Sequence, residues 1–339
     1  MKNIEKKIIV ILGPTASGKS SVAIKLAKKF DGEIISADSR QIYKGMEINS
    51  GAVPVDTSID TSNVYQGKQI TTFTDKETVS SFDQVKNWQQ GFISDEILHY
   101  FVGTANPNEE YSVAKFKRQA EKIIVDILKR KKIPIICGGT GFWIKAIVDD
   151  IIFPEVKPDW NLRKKLAEKS VEELHSELKK IDPLRARNID FKNKVRLIRA
   201  LEVCQKLGKV PQLKKIAKKN NSKNWNFLEI GIKKEKKDLH QRIKLNVTKR
   251  MSQGMITEIE KLHQQLPWDK IEKFGLSFKL IPQYLRGEFS SQKELQEKIY
   301  LAEKNYAKRQ LTWFKKDKKI NWLSKYEEIE NVAKKFLKN

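Results

Sequence analysis

Ile8-Ile9-Val10-Ile11-Leu12-Gly13-Pro14-Thr15-Ala16-Ser17-Gly18-Lys19-Ser20 is the stretch on which the fold turns. The first five residues are apolar and mostly β-branched, the composition of a strand buried on both faces of a parallel sheet. The next eight fit G-x-x-x-x-G-K-[ST] in full. Apolar residues at Val22, Ala23, Leu26 and Ala27 then predict a helix over Ser20–Phe30 that buries one face. Strand, glycine-rich turn and helix in that order make a P-loop. Its glycines let successive backbone N–H groups converge on phosphate oxygens, and the helix N-terminus adds partial positive charge. Gly13, Ala16, Ser17, Gly18, Lys19 and Ser20 are therefore the expected diphosphate-binding residues. Lys19 supplies a full charge, and the Ser20 hydroxyl is a candidate ligand for Mg²⁺. A P-loop announces a bound polyphosphate without saying whether the chemistry is ATP hydrolysis, phosphoryl transfer or departure of diphosphate.

Working outward, Glu33–Ala37 reads as a second short strand, Ser112–Lys131 as a long amphipathic helix, and Ile133–Cys137 as another buried strand. That strand ends in Gly138-Gly139-Thr140-Gly141, where a helix starts. The alternation predicts an α/β fold, a P-loop NTPase-like doubly wound parallel sheet with its site at the strand carboxyl ends. From about Pro154 the texture changes. Asp159–Lys180 is charged and helical, Asp182-Pro183 breaks it, and Arg196–Leu207 is helical again. Trp225–Ile232 reads as a strand returning to the sheet, and Lys236 to about Lys315 as mostly helical. The expected organisation is a first core segment over residues 1–150, a helical insertion over 151–195, and a return to the core with a helical C-terminal part over 196–339. Residues 53–98 are polar and resist assignment.

The second strand ends in Ala37-Asp38-Ser39-Arg40-Gln41-Ile42-Tyr43. In a doubly wound sheet that tip lies beside the P-loop, so Asp38 is a candidate general base or metal ligand, or a residue that caps a turn. No later apolar strand ends in an acid of the kind an ATPase needs. Cys137 stands where one is expected.

Composition narrows the partners. The 339 residues include 67 Lys+Arg against 42 Asp+Glu, a formal net charge of +25. A surface this basic favours polyanions through counterion release, although a general lysine bias produces the same excess. Two cysteines, Cys137 and Cys204, exclude a disulfide framework and a structural zinc site. The short charged N-terminus and the lack of a long apolar run lead to the expectation of a cytoplasmic monomer with no membrane and no protein partner.

These residues resemble the tRNA dimethylallyltransferases (tRNA isopentenyltransferases), and the resemblance runs over most of the chain. It is carried by the P-loop, by Ser36–Met46, by Tyr111–Phe116 and by Pro134–Gly141. It continues through Arg196–Val203, Leu239-His240-Gln241-Arg242-Ile243 and Ala307-Lys308-Arg309-Gln310-Leu311-Thr312-Trp313-Phe314. The resemblance implies transfer of a dimethylallyl group from dimethylallyl diphosphate to N6 of adenine 37, just 3′ of the tRNA anticodon, with Mg²⁺ as cofactor. It implies Asp38 as general base, with Thr15 and Arg242 acting on the diphosphate. It implies Ser39, Gln41, Gly139, Thr140, Arg199, Lys308, Arg309 and Gln310 as tRNA contacts, and an insertion that grips the anticodon stem. The chain departs from the family pattern at Asn49-Ser50-Gly51-Ala52, where Gly-Thr-Ala-Lys is usual, and at Gly103, Asn246 and Phe142-Trp143. None of these touches Asp38 or the P-loop. A small-molecule P-loop kinase, an adenylate isopentenyltransferase acting on free AMP, and a basic RNA-binding protein with a degenerate P-loop share parts of the pattern.

Overall fold

A computed structural model of the chain describes residues 6–54, 57–60, 90–211 and 224–338. The chain divides into two compact units, Met1–Val148 with Asn221–Asn339, and Asp149–Asn220. Each is taken by itself.

The first unit opens with β1 (Lys6–Leu12), the P-loop, α1 (Lys19–Phe30) and β2 (Gly32–Ser36). A one-turn helix α2 (Glu47–Ser50), strands β3 (Thr57–Asp60), β4 (Gln90–Ser94) and β5 (Ile97–Tyr100), helix α3 (Val113–Lys129), strand β6 (Ile133–Gly138) and helix α4 (Gly141–Val148) follow. The sheet has eight strands in the order β3-β4-β5-β2-β6-β1 and then β7 and β8, the two strands added after the insertion. β2, β6 and β1 pair in parallel at its centre, as the continuous apolar runs predict. β3 and β4 are antiparallel additions at one edge. They fall in the span that carried no sequence assignment. Residues 61–89 of that span lie outside the described residues.

The second unit holds α5 (Trp160–Ala167), α6 (Val171–Ile181), α7 (Pro183–Asn188) and α8 (Lys194–Leu207). Two expectations change here. Asp159–Lys180 is two helices, because Ser170 opens a new one with a capping box in which Glu173 answers its backbone N–H. The boundary at residue 195 also moves. α8 packs Leu197, Ala200, Leu201 and Cys204 against Leu174 and Leu178, so the helix assigned to the returning core belongs to the insertion.

The chain re-enters the first unit at β7 (Trp225–Ile232), which pairs in parallel with β1 from Lys6↔Trp225 to Leu12↔Gly231. α9 (Lys236–Ser252), α10 (Met255–His263), α11 (Trp268–Glu272), α12 (Ser277–Leu285) and the long α13 (Gln292–Phe314) come next. Strand β8 (Asn321–Leu323) and helix α14 (Tyr326–Lys338) close the described chain. One face of the sheet buries Ile8, Val10, Ile35 and Ile136 against α3 and the C-terminal helices. The other buries Ile9, Ile11, Ile34 and Ile135 against α1 and α14. Alternate residues of β1 thus serve opposite layers, which is why its run is apolar without a break.

Candidate active site

The P-loop is built to leave donors for an anion. α1 begins at Gly18, where φ is +93° and no side chain caps the helix, and its first turn carries no acid. The unpaired N–H groups and the positive end of the helix dipole therefore remain for a ligand. The positive φ of Gly18 favours glycine, and Arg242 Nη2 stands 3.4 Å from where a Cβ would sit, an ordinary contact distance. Lys19 Nζ rests 3.4 Å from the Pro14 carbonyl. Ser17 is buried, and its Oγ has no hydrogen-bond partner. A buried hydroxyl without a partner is costly, and a phosphate oxygen entering the loop is the kind of acceptor that would relieve it. Arg242, on α9, donates from Nε to the Ala16 carbonyl at 2.8 Å.

The tip of β2 lies beside this loop because β6 holds it there. The Ala37 N–H donates to the Cys137 carbonyl at 2.8 Å, and the Thr140 N–H returns a bond to the Ala37 carbonyl at 3.2 Å. The approach is so close that a Cβ on Gly138 would lie 2.2 Å from the Ala37 oxygen. Beyond it the Ser39 N–H donates to Thr140 Oγ1 at 3.0 Å, and the Arg40 N–H to Asp38 Oδ1 at 3.1 Å. Asp38 is half-buried and lines one pocket with Lys19, Ser20, Gln41, Cys137 and Gly138. Ala23, Ile34, Val53 and Val102 supply the pocket's apolar wall. One pocket therefore carries Lys19 and Ser20 from the end of the P-loop, a carboxylate and an apolar side.

Burial pushes the Cys137 thiol up to about 11, with the Asp38 charge adding to the rise, while Lys19 and a hydrogen bond with Ser20 work against it. The thiol is therefore neutral at physiological pH. Among the described residues no three His, Cys, Asp or Glu side chains gather as a metal cage. Ser20, Ser36, Asp38 and Gln41 bring hard oxygens to the pocket, but Ser36 and Gln41 are bonded to each other, which leaves Ser20 as the hydroxyl for a metal and Asp38 as the carboxylate. That sparse set fits Mg²⁺, which keeps much of its shell as water and substrate phosphate oxygens.

The remaining expected contacts divide. Gln41 stays at the pocket, where its Oε1 accepts from Ser36 Oγ at 3.1 Å and its Nε2 donates to the Gly51 carbonyl at 3.3 Å. Lys308 and Arg309 are exposed on α13. Gln310 is 6% exposed. Its Oε1 accepts from the Thr15 N–H at 2.8 Å and its Nε2 donates to the Gly139 carbonyl at 2.9 Å, so both ends of the amide are spent inside the protein rather than on RNA. Arg199 lies in the other unit. It pairs with the buried carboxylate of Glu202 and donates to the Val156 carbonyl at 2.9 Å. Burial opposes the charge on Glu202, but hydrogen bonds from Arg163, the Asp159 N–H and Arg199 outweigh it and hold that carboxyl below the usual range. Phe314 is buried in the core, whereas Trp313 is 40% exposed.

Sequence reasoning gave no role to Tyr306. Its ring lies under the Arg40 guanidinium at 4.9 Å and near that of Arg309 at 5.6 Å. Burial raises its hydroxyl's pKa, and the Asp38 charge raises it further. The available signal was its spacing, four residues before Gln310 on one helix face. The Asn49 departure also has a place in the fold. Asn49 is buried and donates from Nδ2 to the Met255 carbonyl and to Glu258 Oε2, both at 2.7 Å. Its own carbonyl accepts from Arg250 at 2.9 Å.

The sequence profile described as IPP transferase matches residues 86–317, and one described as Isopentenyl transferase matches residues 6–71. The tRNA dimethylallyltransferase of Acetivibrio thermocellus is 38% identical over 326 residues, 94% of this chain and 92% of the relative. That of Halothermothrix orenii is 34% identical, covering 97% of this chain and 93% of the relative. The crystal structure of the full-length tRNA isopentenylpyrophosphate transferase from Bacillus halodurans superposes with a TM-score of 0.62 at 29% identity, covering 98% of this chain and 97% of the other. A eukaryotic dimethylallyltransferase described as acting on tRNA shares the fold with a TM-score of 0.66 at 24% identity, covering 91% of this chain and 70% of its own.

Proposed function

The chain belongs to the IPP transferase family, and from that premise we infer that it transfers a dimethylallyl group to tRNA, taking it from dimethylallyl diphosphate and placing it on N6 of adenine 37. The observation that carries the reading is that Lys19, after β1, and Asp38, after β2, line one pocket although β6 lies between those two strands. N6 of adenine is a weak nucleophile because its lone pair is drawn into the ring. Asp38 accepts the N6 proton as the new C–N bond forms. On the opposite side of the transferred carbon the C–O bond breaks, and its electron pair leaves on the diphosphate. Lys19, the uncapped N–H groups of α1 and Arg242 stabilise the charge that grows there, with Thr15 beside the breaking bond. Ser20 would help hold Mg²⁺, which would supply further charge neutralisation when bound.

The adenine must leave its stack to reach Asp38, at a cost of a few kcal/mol. The exposed Lys308 and Arg309 and the basic insertion are the surfaces suited to grip the anticodon loop and stem through phosphates. Free AMP offers neither a stem to grip nor a use for a net charge of +25. A kinase reading gains nothing from the neutral Cys137 at the strand end where an acid is expected. Among the described residues no helix is long and apolar enough to cross a membrane.

The test is incubation with dimethylallyl diphosphate, Mg²⁺ and bulk tRNA, followed by mass spectrometry of the nucleosides. Prenylated adenosine from the position 3′ of the anticodon is the expected product. Its absence, with ATP consumed in a parallel assay, would transfer the case to a kinase.

A further inference from the structure

We propose that Gln310 is a positioning residue for the transfer reaction, acting through Thr15 rather than on the tRNA. The proposal rests on the reading of Thr15 given above. The carboxamide of Gln310 offers an acceptor and a donor on one rigid plane, and both are used. Oε1 takes the Thr15 N–H at 2.8 Å and Nε2 gives to the Gly139 carbonyl at 2.9 Å. In a P-loop the backbone N–H groups ordinarily face phosphate. Here the Thr15 N–H is withdrawn from that duty and committed to α13.

The next residue shows why such a hold is needed. Ala16 sits at φ +60°, in the left-handed region where a non-glycine residue is strained by about 1–3 kcal/mol and persists only when its surroundings over-determine it. Two side chains do so. Gln310 pins the Pro14–Thr15 peptide, one residue upstream of Ala16, and Arg242 pins the Ala16 carbonyl at 2.8 Å on the downstream side. The strained link is thus clamped by α13 and α9 together.

The same helix also reaches the base. Tyr306, one turn before Gln310, carries the Arg40 guanidinium on its ring at 4.9 Å, and Arg40 gives its backbone N–H to Asp38 Oδ1 at 3.1 Å. Arg40 Nε is anchored in turn on the Phe274 carbonyl at 2.7 Å. α13 therefore references both reacting ends, the Thr15 peptide through Gln310 and the Asp38 turn through Tyr306. The distance between leaving group and base is set by one turn of a rigid element. A displacement of about 1 Å at such a site costs roughly 100-fold in rate.

The experiment uses the full chain with dimethylallyl diphosphate and tRNA, and compares wild type, Gln310→Leu, Thr15→Ala and the double variant. Gln310→Leu is expected to lower kcat by roughly 100-fold while KM for tRNA stays within about twofold. Because Gln310 holds the Thr15 backbone in order to place the Thr15 hydroxyl, the double variant is expected to fall within about twofold of Thr15→Ala alone, where that hydroxyl is already gone. A raised KM for tRNA at unchanged kcat would make Gln310 an RNA contact and overturn the proposal. Multiplicative losses in the double variant would overturn it as well. Gln310→Met, which matches the length of the native side chain, carries the same expectations if the leucine variant does not fold. If Thr15→Ala retains full activity, the reading of Thr15 fails. If Thr15→Ala is impaired and Gln310→Leu is not, only the present proposal fails.

Discussion

The backbone N–H of Ser39 donates to Thr140 Oγ1 at 3.0 Å, tying the tip of β2 to the turn that follows β6. Asp38 stands immediately before that anchor, so the hydroxyl of Thr140 helps decide where the carboxylate points. Thr140→Val removes the acceptor, and an unmet N–H costs about 1–3 kcal/mol unless the tip moves to find water. Turnover is expected to fall roughly tenfold in the valine variant, and Thr140→Ser to stay near wild type. Steady-state assays of both variants check this.

Asp38→Asn and Lys19→Ala separate the two halves of the pocket. Removing a general base costs about 10²–10⁴ in rate. The asparagine variant should therefore lose turnover by that order while binding tRNA normally in a filter or anisotropy assay. Lys19→Ala should instead weaken binding of inorganic diphosphate by roughly 10- to 100-fold, the loss of one charge-assisted hydrogen bond. Calorimetric titration with diphosphate reads it directly. Unchanged diphosphate affinity would contradict the cradle.

Cys137 reports on the same pocket through its acidity. The folded thiol is pushed up to about 11 against 9.0 for an unperturbed thiol. A raised pKa means that its contribution to the native state is present in full below the unfolded value and is lost as pH rises through the folded one. Iodoacetamide labelling of Cys137 is expected to be slow at neutral pH, to accelerate toward pH 11, and to be slowed by added diphosphate. Peptide mass spectrometry across a pH series follows the modification.

Glu202 is the keystone of the helical insertion, fully buried between Arg163 and Arg199. Glu202→Gln leaves two partly exposed arginines without their anion, a loss that solvent screens below the full cost of an unpaired buried charge. The consequence is local loosening, visible as lost hydrogen-exchange protection in α5 and α8. Because the folded carboxyl is held below its ordinary range, the wild-type insertion keeps this support above the unfolded pKa and loses it as pH falls through the depressed one.

Much of this arrangement is legible in the sequence because local rules govern it. The P-loop motif fixes the cradle. The apolar-rich run Trp225–Ile232 marks a strand with its observed limits, and Asp38 stands out by its place at the tip of the second strand. What escapes depends on side chains meeting across long sequence separations. Gln310 reads as an exposed RNA contact because it follows Lys308 and Arg309, yet a single step around the helix turns it inward to Thr15. Arg199 reads likewise; its i,i+3 partner Glu202 is on the same helix, and the fold brings Val156 and Arg163 to the pair. The edge strands β3 and β4 are short, and their polar residues lack the alternation that marks a half-buried strand.

The sheet also has a temporal order. β1 is central, but its partner β7 lies more than two hundred residues downstream, and the brace on its loop comes from Gln310. During synthesis the first strand emerges early and waits with one edge unpaired while the whole insertion is made. Such distant parallel pairings are slow to form, and an unsatisfied apolar edge invites association with other chains. The nascent protein therefore passes through a long interval in which its most hydrophobic segment needs shielding, and competence to bind diphosphate arrives only with the last helices.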